Sequence, residues 1–218
     1  MMIELFFALA LFSQDAEPGS ALTDDAADTV EAVEAEFDAD AALAGINAWL
    51  NSIETYRARF DQVAPDGSAS GGTLSIRRPG RLRFEYDDPS PLLVVADGTT
   101  VAMEDSDLNT VDRIPLRSTP LWWLLKEDVD LAADARVTEV FEEDNRLYVR
   151  AEDRNDEMDG EAVFVFNPET YALEEWFAID SLNYVTRVIL SDVETDVRLS
   201  PRLFVLDEPE DDRRSRRQ

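Results

Sequence analysis

Asp105, Asp107 and Asn109 sit at alternate positions, and nothing else in this chain comes so near to a metal-ligand spacing. Oxygen side chains at positions one, three and five open a calcium loop. Such a loop needs glycine at position six and a bidentate glutamate at position twelve; here those positions hold Thr110 and Leu116, and no helix precedes them. A hairpin turn accounts for the three residues better. No metal ligand set and no cofactor motif is assigned elsewhere.

Covalent and acid–base chemistry has little to work with. The chain contains no histidine and no cysteine. That removes the usual general base, the thiolate nucleophile and the Ser-His-Asp arrangement. Paired carboxylates carry no signal, because 48 acidic residues put some pair near any cleft by chance. Ser70-Gly71-Gly72 lacks the Lys-Ser/Thr ending of a phosphate loop and does not open a helix. No catalytic residue is assigned, and an enzyme is not expected.

What remains is one placed cation beside apolar strands. Gly72–Arg77 and Leu82–Tyr86 read as two strands joined at Pro79-Gly80, with Leu74 and Ile76 on one face of the first and Leu82, Phe84 and Tyr86 on one face of the second. Arg78 stands at the rim of that face. A meandering sheet with a solvated basic edge would give the same pattern. A pocket for an apolar ligand is the functional alternative.

The elements that would hold such a pocket can be read along the chain. Leu43, Ile46, Trp49, Leu50 and Ile53 recur at three- and four-residue intervals, so Ala41 to Ile53 is predicted to be an amphipathic helix with Asp40 as its N-cap. Tyr56, Ala58 and Phe60 then alternate with charged residues as a strand does. Asp97-Gly98 between Leu92–Val95 and Thr100–Met103 is a strong hairpin signal. Asn109–Ile114 follows, then a short apolar helix over Pro120 to Lys126 opened by Thr119 as cap. Trp122 and Trp123 on that helix are about 100° apart. Either one packs in the core and one covers the mouth of the sheet, or both are core. Further strands are predicted at Val137–Glu142, Leu147–Ala151, Ala162–Phe166, Leu173–Ile179, Tyr184–Leu190 and Arg202–Val205. Ten to twelve antiparallel strands tend to curl into a barrel or half-barrel whose hollow must be filled by side chains, a helix or a ligand. The fold class is therefore mainly β (α+β): a curved antiparallel sheet forming an unclosed half-barrel.

Composition bounds the partners. The net charge of −28 (20 basic residues) opposes nucleic acid, which is bound by displacing counterions with Lys and Arg, and it equally disfavours anionic lipid surfaces. Residues 1–16 begin with an apolar run broken only by Glu4, and Ala8 and Ala10 offer a small-x-small cleavage pattern; this reads as a signal peptide, against the alternative of an uncleaved hydrophobic tail. Residues 17–40 read as an acidic flexible leader, with helical spacing at Val30, Val33 and Phe37. Residues 41–206 form the one domain, and 207–218 read as a charged disordered tail ending in Arg213, Arg214, Arg216 and Arg217.

An ordered set of motifs resembles the LolA family of lipoprotein carriers. It comprises Gly72-x-Leu74-x-Ile76 followed by Arg78-Pro79; Arg83-Phe84-x-Tyr86-x-x-Pro89; Leu93 to Thr99 ending in Ala96-Asp97-Gly98; Asp107 to Val111; Thr119-Pro120 with Leu124-Leu125; and the initial helix followed by Phe60-x-Gln62. Each motif is weak alone, and their order and spacing are specific together. The resemblance covers about Ala41 to Leu206.

The resemblance implies an apolar cavity lidded by short helices that holds the acyl chains of a lipoprotein. By it, Arg78 is the lid-locking residue, bonding helix backbone when the lid is closed. Leu74, Ile76, Leu82, Phe84, Tyr86, Val95, Phe164 and Phe166 would line the cavity, and Leu43, Ile46, Leu50, Trp122, Trp123 and Leu125 belong to the lid helices. The implied carrier is a monomer in the periplasm that takes acylated lipoproteins from an inner-membrane lipoprotein-releasing ABC transporter to the outer membrane, either to its receptor LolB or to the membrane itself. A periplasmic lipid- or partner-binding sensor or regulatory module on the same half-barrel is the competing function, since fold does not fix function. Val101-Ala102-Met103 departs from the family, which often has an aromatic pair there; leader and tail also lie outside its pattern.

Overall fold

A computed structural model describes residues 37–155 and 158–206 of the chain. The signal-peptide reading, nearly all of the leader and the tail fall outside the described residues. The described chain is one eleven-stranded antiparallel sheet with three short helices.

The strands are β1 (Thr55–Val63), β2 (Ala69–Arg77), β3 (Arg81–Tyr86), β4 (Leu92–Asp97), β5 (Thr100–Asp105), β6 (Thr110–Pro115), β7 (Arg136–Glu143), β8 (Arg146–Glu152), β9 (Glu161–Phe166), β10 (Leu173–Ile179) and β11 (Val185–Thr195). Their order is β6-β5-β4-β3-β2-β1-β11-β10-β9-β8-β7, so two meanders join where β1 pairs with β11 and the sheet stays open between β6 and β7. The half-barrel expected from the strand count is what the chain forms.

Alternation sets the two faces. Tyr56, Ala58, Phe60 and Gln62 of β1 are buried while their neighbours are not, and these four pair with Ile76, Leu74, Gly72 and Ser70 of β2. Cross-strand partners share a face, so Leu82, Phe84, Val94 and Ala96 follow onto the same side. On the other half, Leu147, Val149, Phe164, Phe166 and Trp176 do likewise. This is the concave face, and it forms one apolar core with the helices. At Gly72 a Cβ would lie 2.1 Å from the Glu85 carbonyl oxygen and 2.7 Å from the Phe60 ring. The bare backbone there lets Phe60 meet Tyr86 edge to face at 5.0 Å.

Helix α1 (Ala39–Ser52) begins two residues before the expected start. Asp38, not Asp40, is the N-cap, its carboxylate accepting from the Ala41 N–H at 2.9 Å. Asp40 lies in the first helical turn, where a negative charge suits the helix dipole. Ala42, Ile46 and Leu50 form the buried stripe. Helix α2 (Leu121–Leu125) starts after Pro120 without a side-chain cap, because the Thr119 hydroxyl donates backwards to the Leu116 carbonyl at 2.8 Å. Helix α3 (Leu131–Asp134), a single turn capped by Asp130, was not expected from the sequence. Arg202–Val205 is not a strand either. Ser200 accepts from the Arg202 N–H at 3.3 Å and starts a 3-10 turn at Pro201–Phe204, which packs on β3 and β4.

Asp105 closes the β5–β6 hairpin, its carboxylate accepting from the N–H groups of Asp107 and Leu108 at 3.0 Å. The turn reading of the Asp105-x-Asp107-x-Asn109 triplet therefore holds.

Candidate functional site

The residue that organises the concave side is Arg78. It follows the last residue of β2, and the turn after it brings the Gly80 N–H to the Leu125 carbonyl at 2.7 Å. Gly80 adopts φ +73°, and a Cβ there would lie 2.8 Å from the Gly98 Cα, so this position needs glycine. The turn thus meets the C-terminal end of α2, where helix carbonyls lack intrahelical donors.

The Arg78 guanidinium supplies those donors to two helices at once. Nε donates to the Lys126 carbonyl at 2.9 Å, and Nη2 reaches the same carbonyl at 2.6 Å and that of Glu127 at 3.1 Å. Nη1 donates to the carbonyl of Leu50 and to that of Ile53 at 3.4 Å, both at the end of α1. Nη2 also meets the Asn51 side-chain oxygen at 3.1 Å. Only a planar fork of five N–H groups can serve so many acceptors. Burial pulls the Arg78 pKa below its ordinary value, with Asp128 opposing; the group stays protonated.

A second set of contacts ties α1 to the connection between α2 and α3. Asn51 donates through Nδ2 to the Val129 carbonyl and accepts from the Val129 N–H, both at 2.8 Å. One turn earlier, Asn47 accepts from the Leu131 N–H at 3.1 Å. Lys126 pairs with Asp134, joining the ends of α2 and α3. The asparagine pair was missed in the sequence, although Asn47 and Asn51 stand four apart along the polar border of an otherwise apolar stripe, where asparagine is a poor helix former.

Beneath this clasp lies an apolar cavity. Its walls include Leu74, Ile76 and Leu82 from the sheet, Leu50 and Ile53 from α1, Leu121, Leu124 and Leu125 from α2, and Trp176 and Leu190 from the far half of the sheet. Arg78 and Tyr56 lie in the same wall. The open space is about 40 Å³. A buried water needs roughly 10–15 Å³ of such space, so this state admits a few waters and no acyl chain. The helices fill the hollow that the sheet makes.

Placement of the expected lining residues divides them. Leu74, Ile76 and Leu82 border the cavity. Phe84, Tyr86, Phe164 and Phe166 are on the concave face but border other side chains: Phe84 meets Phe60 at 5.1 Å and Trp176 at 6.1 Å, and Phe164 meets Trp123 at 6.5 Å. Tyr86 donates to the Gln62 side-chain oxygen at 2.9 Å, and burial pushes its pKa up to about 12. Val95 is a correction. It pairs with Arg83 and Ala102 and so faces the convex side, where the Pro201–Phe204 turn buries it; it does not reach the cavity.

The residues expected on the helices lie on α1 and α2. Ile46 and Leu50 are buried, Leu43 is half-buried, and Leu125 and Trp123 pack into the core. Trp122 stays half-buried with the Arg117 guanidinium 4.9 Å above its ring. Trp123 is thus the core member of the pair, while Trp122 packs at the edge of the core. Among the described residues, no group of three or more acidic side chains is placed to hold a metal ion, and no helix is long and apolar enough to cross a membrane.

Comparison with known proteins follows the same outline. The profile of the family described as "Outer membrane lipoprotein carrier protein LolA" matches residues 51–207. An outer-membrane lipoprotein carrier protein from Nitrosomonas europaea is 30% identical over 178 residues, covering 78% of this chain and 86% of that protein. A protein of the same description from Legionella pneumophila is 28% identical over 168 residues, covering 73% and 82%. Among solved structures, a LolA superfamily protein from Nitrosomonas europaea aligns with a TM-score of 0.46 at 9% identity, over 78% of this chain and 98% of that one.

Proposed function

This chain belongs to the LolA family of outer membrane lipoprotein carrier proteins, and we propose that it carries lipoproteins with their acyl chains in the cavity beneath α1 and α2. The observation that carries the proposal is the clasp: one guanidinium joins the ends of two helices directly over an apolar hollow. Nothing in that arrangement performs a reaction. It stores and releases.

Burying an acyl chain is worth about 0.8 kcal/mol per methylene, so binding is easily strong enough; release is the harder requirement. The closed empty state answers it. When the helices collapse onto the sheet, their side chains bury the same apolar surface that cargo would cover, and Arg78 adds charge-assisted hydrogen bonds. Cargo must compete with that state, and its net affinity falls by the free energy of closing. A carrier built so needs no nucleotide of its own.

In the fuller reading the protein is exported, loads in the periplasm from an inner-membrane lipoprotein-releasing ABC transporter, and unloads at the outer membrane through LolB or directly. Lid-locking by Arg78, and lining by Leu74, Ile76 and Leu82, are roles this reading assigns.

Native mass spectrometry of the protein recovered from periplasm, with lipid extraction of whatever is bound, tests it. A one-to-one complex with a diacylated or triacylated lipoprotein is the expected result. Protein that stays empty even when the lipoprotein-releasing transporter is supplied would overturn the carrier reading in favour of a sensor module.

A further inference from the structure

Tyr56 is the second residue of β1 and lies in the cavity wall, beside its β2 partner Ile76, which stands two residues before Arg78. Its ring meets Trp49 of α1 edge to face at 6.4 Å. The residue is 4% exposed, and its hydroxyl has no hydrogen-bond partner. Among the described residues it is the only hydroxyl in the cavity wall, whose other members are leucines, isoleucines, two tryptophans and Arg78. The Arg78 nitrogens are all committed to helix carbonyls and Asn51, so they cannot satisfy it, and an arginine offers no acceptor in any case.

A buried polar group without a partner is unfavourable and is uncommon in folded proteins. Phenylalanine would fill the same space without that penalty. The hydroxyl also stays a donor: burial raises the phenol pKa above its ordinary value, so it does not ionise. An orphaned donor on a side chain in the wall of an apolar hollow points to an acceptor on the ligand.

We infer that the Tyr56 hydroxyl recognises the ester carbonyl of a bound acyl chain, donating a hydrogen bond to the carbonyl oxygen while the hydrocarbon lies along the leucines. This rests on the carrier reading and names the part of the cargo that the site distinguishes. The position fits the chemistry. In a diacylglyceryl group each ester carbonyl sits at the head of its chain, and Tyr56 stands at the Arg78 end of the cavity, where α1 and α2 meet and the lid would part. In the empty closed state the hydroxyl is left without a partner; with cargo present it has one. The residue therefore favours the loaded form over the empty one.

The test uses two synthetic lipopeptides with a free amino terminus and chains of equal length. One carries ester-linked acyl chains and the other ether-linked alkyl chains, which lack the carbonyl. Affinities for the intact protein and for Tyr56→Phe are measured by titration calorimetry, with thermal unfolding of both empty proteins. The intact protein should bind the ester about tenfold more tightly than the ether, and Tyr56→Phe should bind both with the affinity the intact protein shows for the ether. The empty variant should melt at the same temperature as the intact protein or higher. An ester preference that survives in Tyr56→Phe, equal affinities in the intact protein, or a variant that melts several degrees lower would each overturn the inference. If the intact protein binds neither lipopeptide, the carrier reading fails first and takes this inference with it.

Discussion

Arg78 holds the backbone carbonyl of Lys126 with two of its nitrogens, Nε at 2.9 Å and Nη2 at 2.6 Å, while its third reaches the carbonyl of Leu50 on the other helix. The two helices are separated in the chain by six strands. The guanidinium bonds the ends of both helices.

Arg78→Leu should leave the sheet folded and unlock the lid. Hydrogen bonds to charged groups contribute about 1.5–3 kcal/mol each and are not additive, so a total loss of about 3 kcal/mol from closing is expected. Amide hydrogen exchange in Ala39–Ser52 and Leu121–Leu125 should speed by about 100-fold, while β9 and β10 keep their protection. With the empty state less competitive, a diacylated lipopeptide should bind more tightly and pass on to acceptor membranes more slowly. Normal transfer would remove Arg78 from the mechanism.

Asn51→Ala should weaken the same clasp by a smaller step. It strands the N–H and carbonyl of Val129, at a cost of about 1–3 kcal/mol. Exchange should rise mainly around Val129 and α3. Asn51→Asp should fall between the intact protein and Asn51→Ala, since a carboxylate still accepts from the Val129 N–H and from Arg78 but repels the Val129 carbonyl.

The adjacent tryptophans should separate cleanly in a stability measurement. Trp123 is buried against Phe164, and Trp123→Ala should cost about 3–5 kcal/mol in urea unfolding. Trp122 gives up a half-buried surface and one contact with Arg117. Trp122→Ala should cost about 1 kcal/mol.

Gly72→Ala tests the close approach of β2 and β3. The new methyl would collide with the Glu85 carbonyl and the Phe60 ring, and unfolding stability should fall by about 3 kcal/mol. A neutral result would mean that the strands can separate at this point without loss.

Asp97 sets a dependence on pH. Burial raises its pKa, but hydrogen bonds from the N–H of Thr100, the N–H of Thr99 and the Thr99 hydroxyl outweigh that and leave it below the ordinary carboxylate value. A lowered folded pKa stabilises the protein above the unfolded value of about 3.9 and loses that stability as pH falls through the folded value. Asp97→Ala should therefore be less stable by about 1 kcal/mol at neutral pH. The gap between the two proteins should close on acidification below the folded value.

Much of this architecture is legible in the sequence because its signals are local. The alternation of Tyr56, Ala58 and Phe60, the turns at Pro79-Gly80 and Asp97-Gly98, and the stripe of Ile46 and Leu50 each report one element. Val95 was misplaced because Leu92-Leu93-Val94-Val95 is apolar on both faces; the reason is the Pro201–Phe204 turn on the convex side, a contact from more than 100 residues away. That turn was itself hidden, since Arg202 to Val205 has a strand composition and only the Ser200-Pro201 start gives it away. The site was legible in Arg78 and in the leucines of β2 and β3. Asn47, Asn51 and Tyr56 were not, because their roles depend on what lies across from them, and Tyr56 reads as one more member of an apolar face.

Photocrosslinking tests the central claim most directly. A diacylated lipopeptide with a photoreactive group at the end of one acyl chain would be bound to the protein, irradiated and mapped by peptide mass spectrometry. Crosslinks should fall on cavity-side residues such as Leu74, Leu82, Leu125 and Leu190, and a large excess of unlabelled lipopeptide should suppress them. Crosslinks confined to the convex face around Val95 and Phe204, or none above the level of a soluble peptide control, would contradict the cavity as the acyl-chain site.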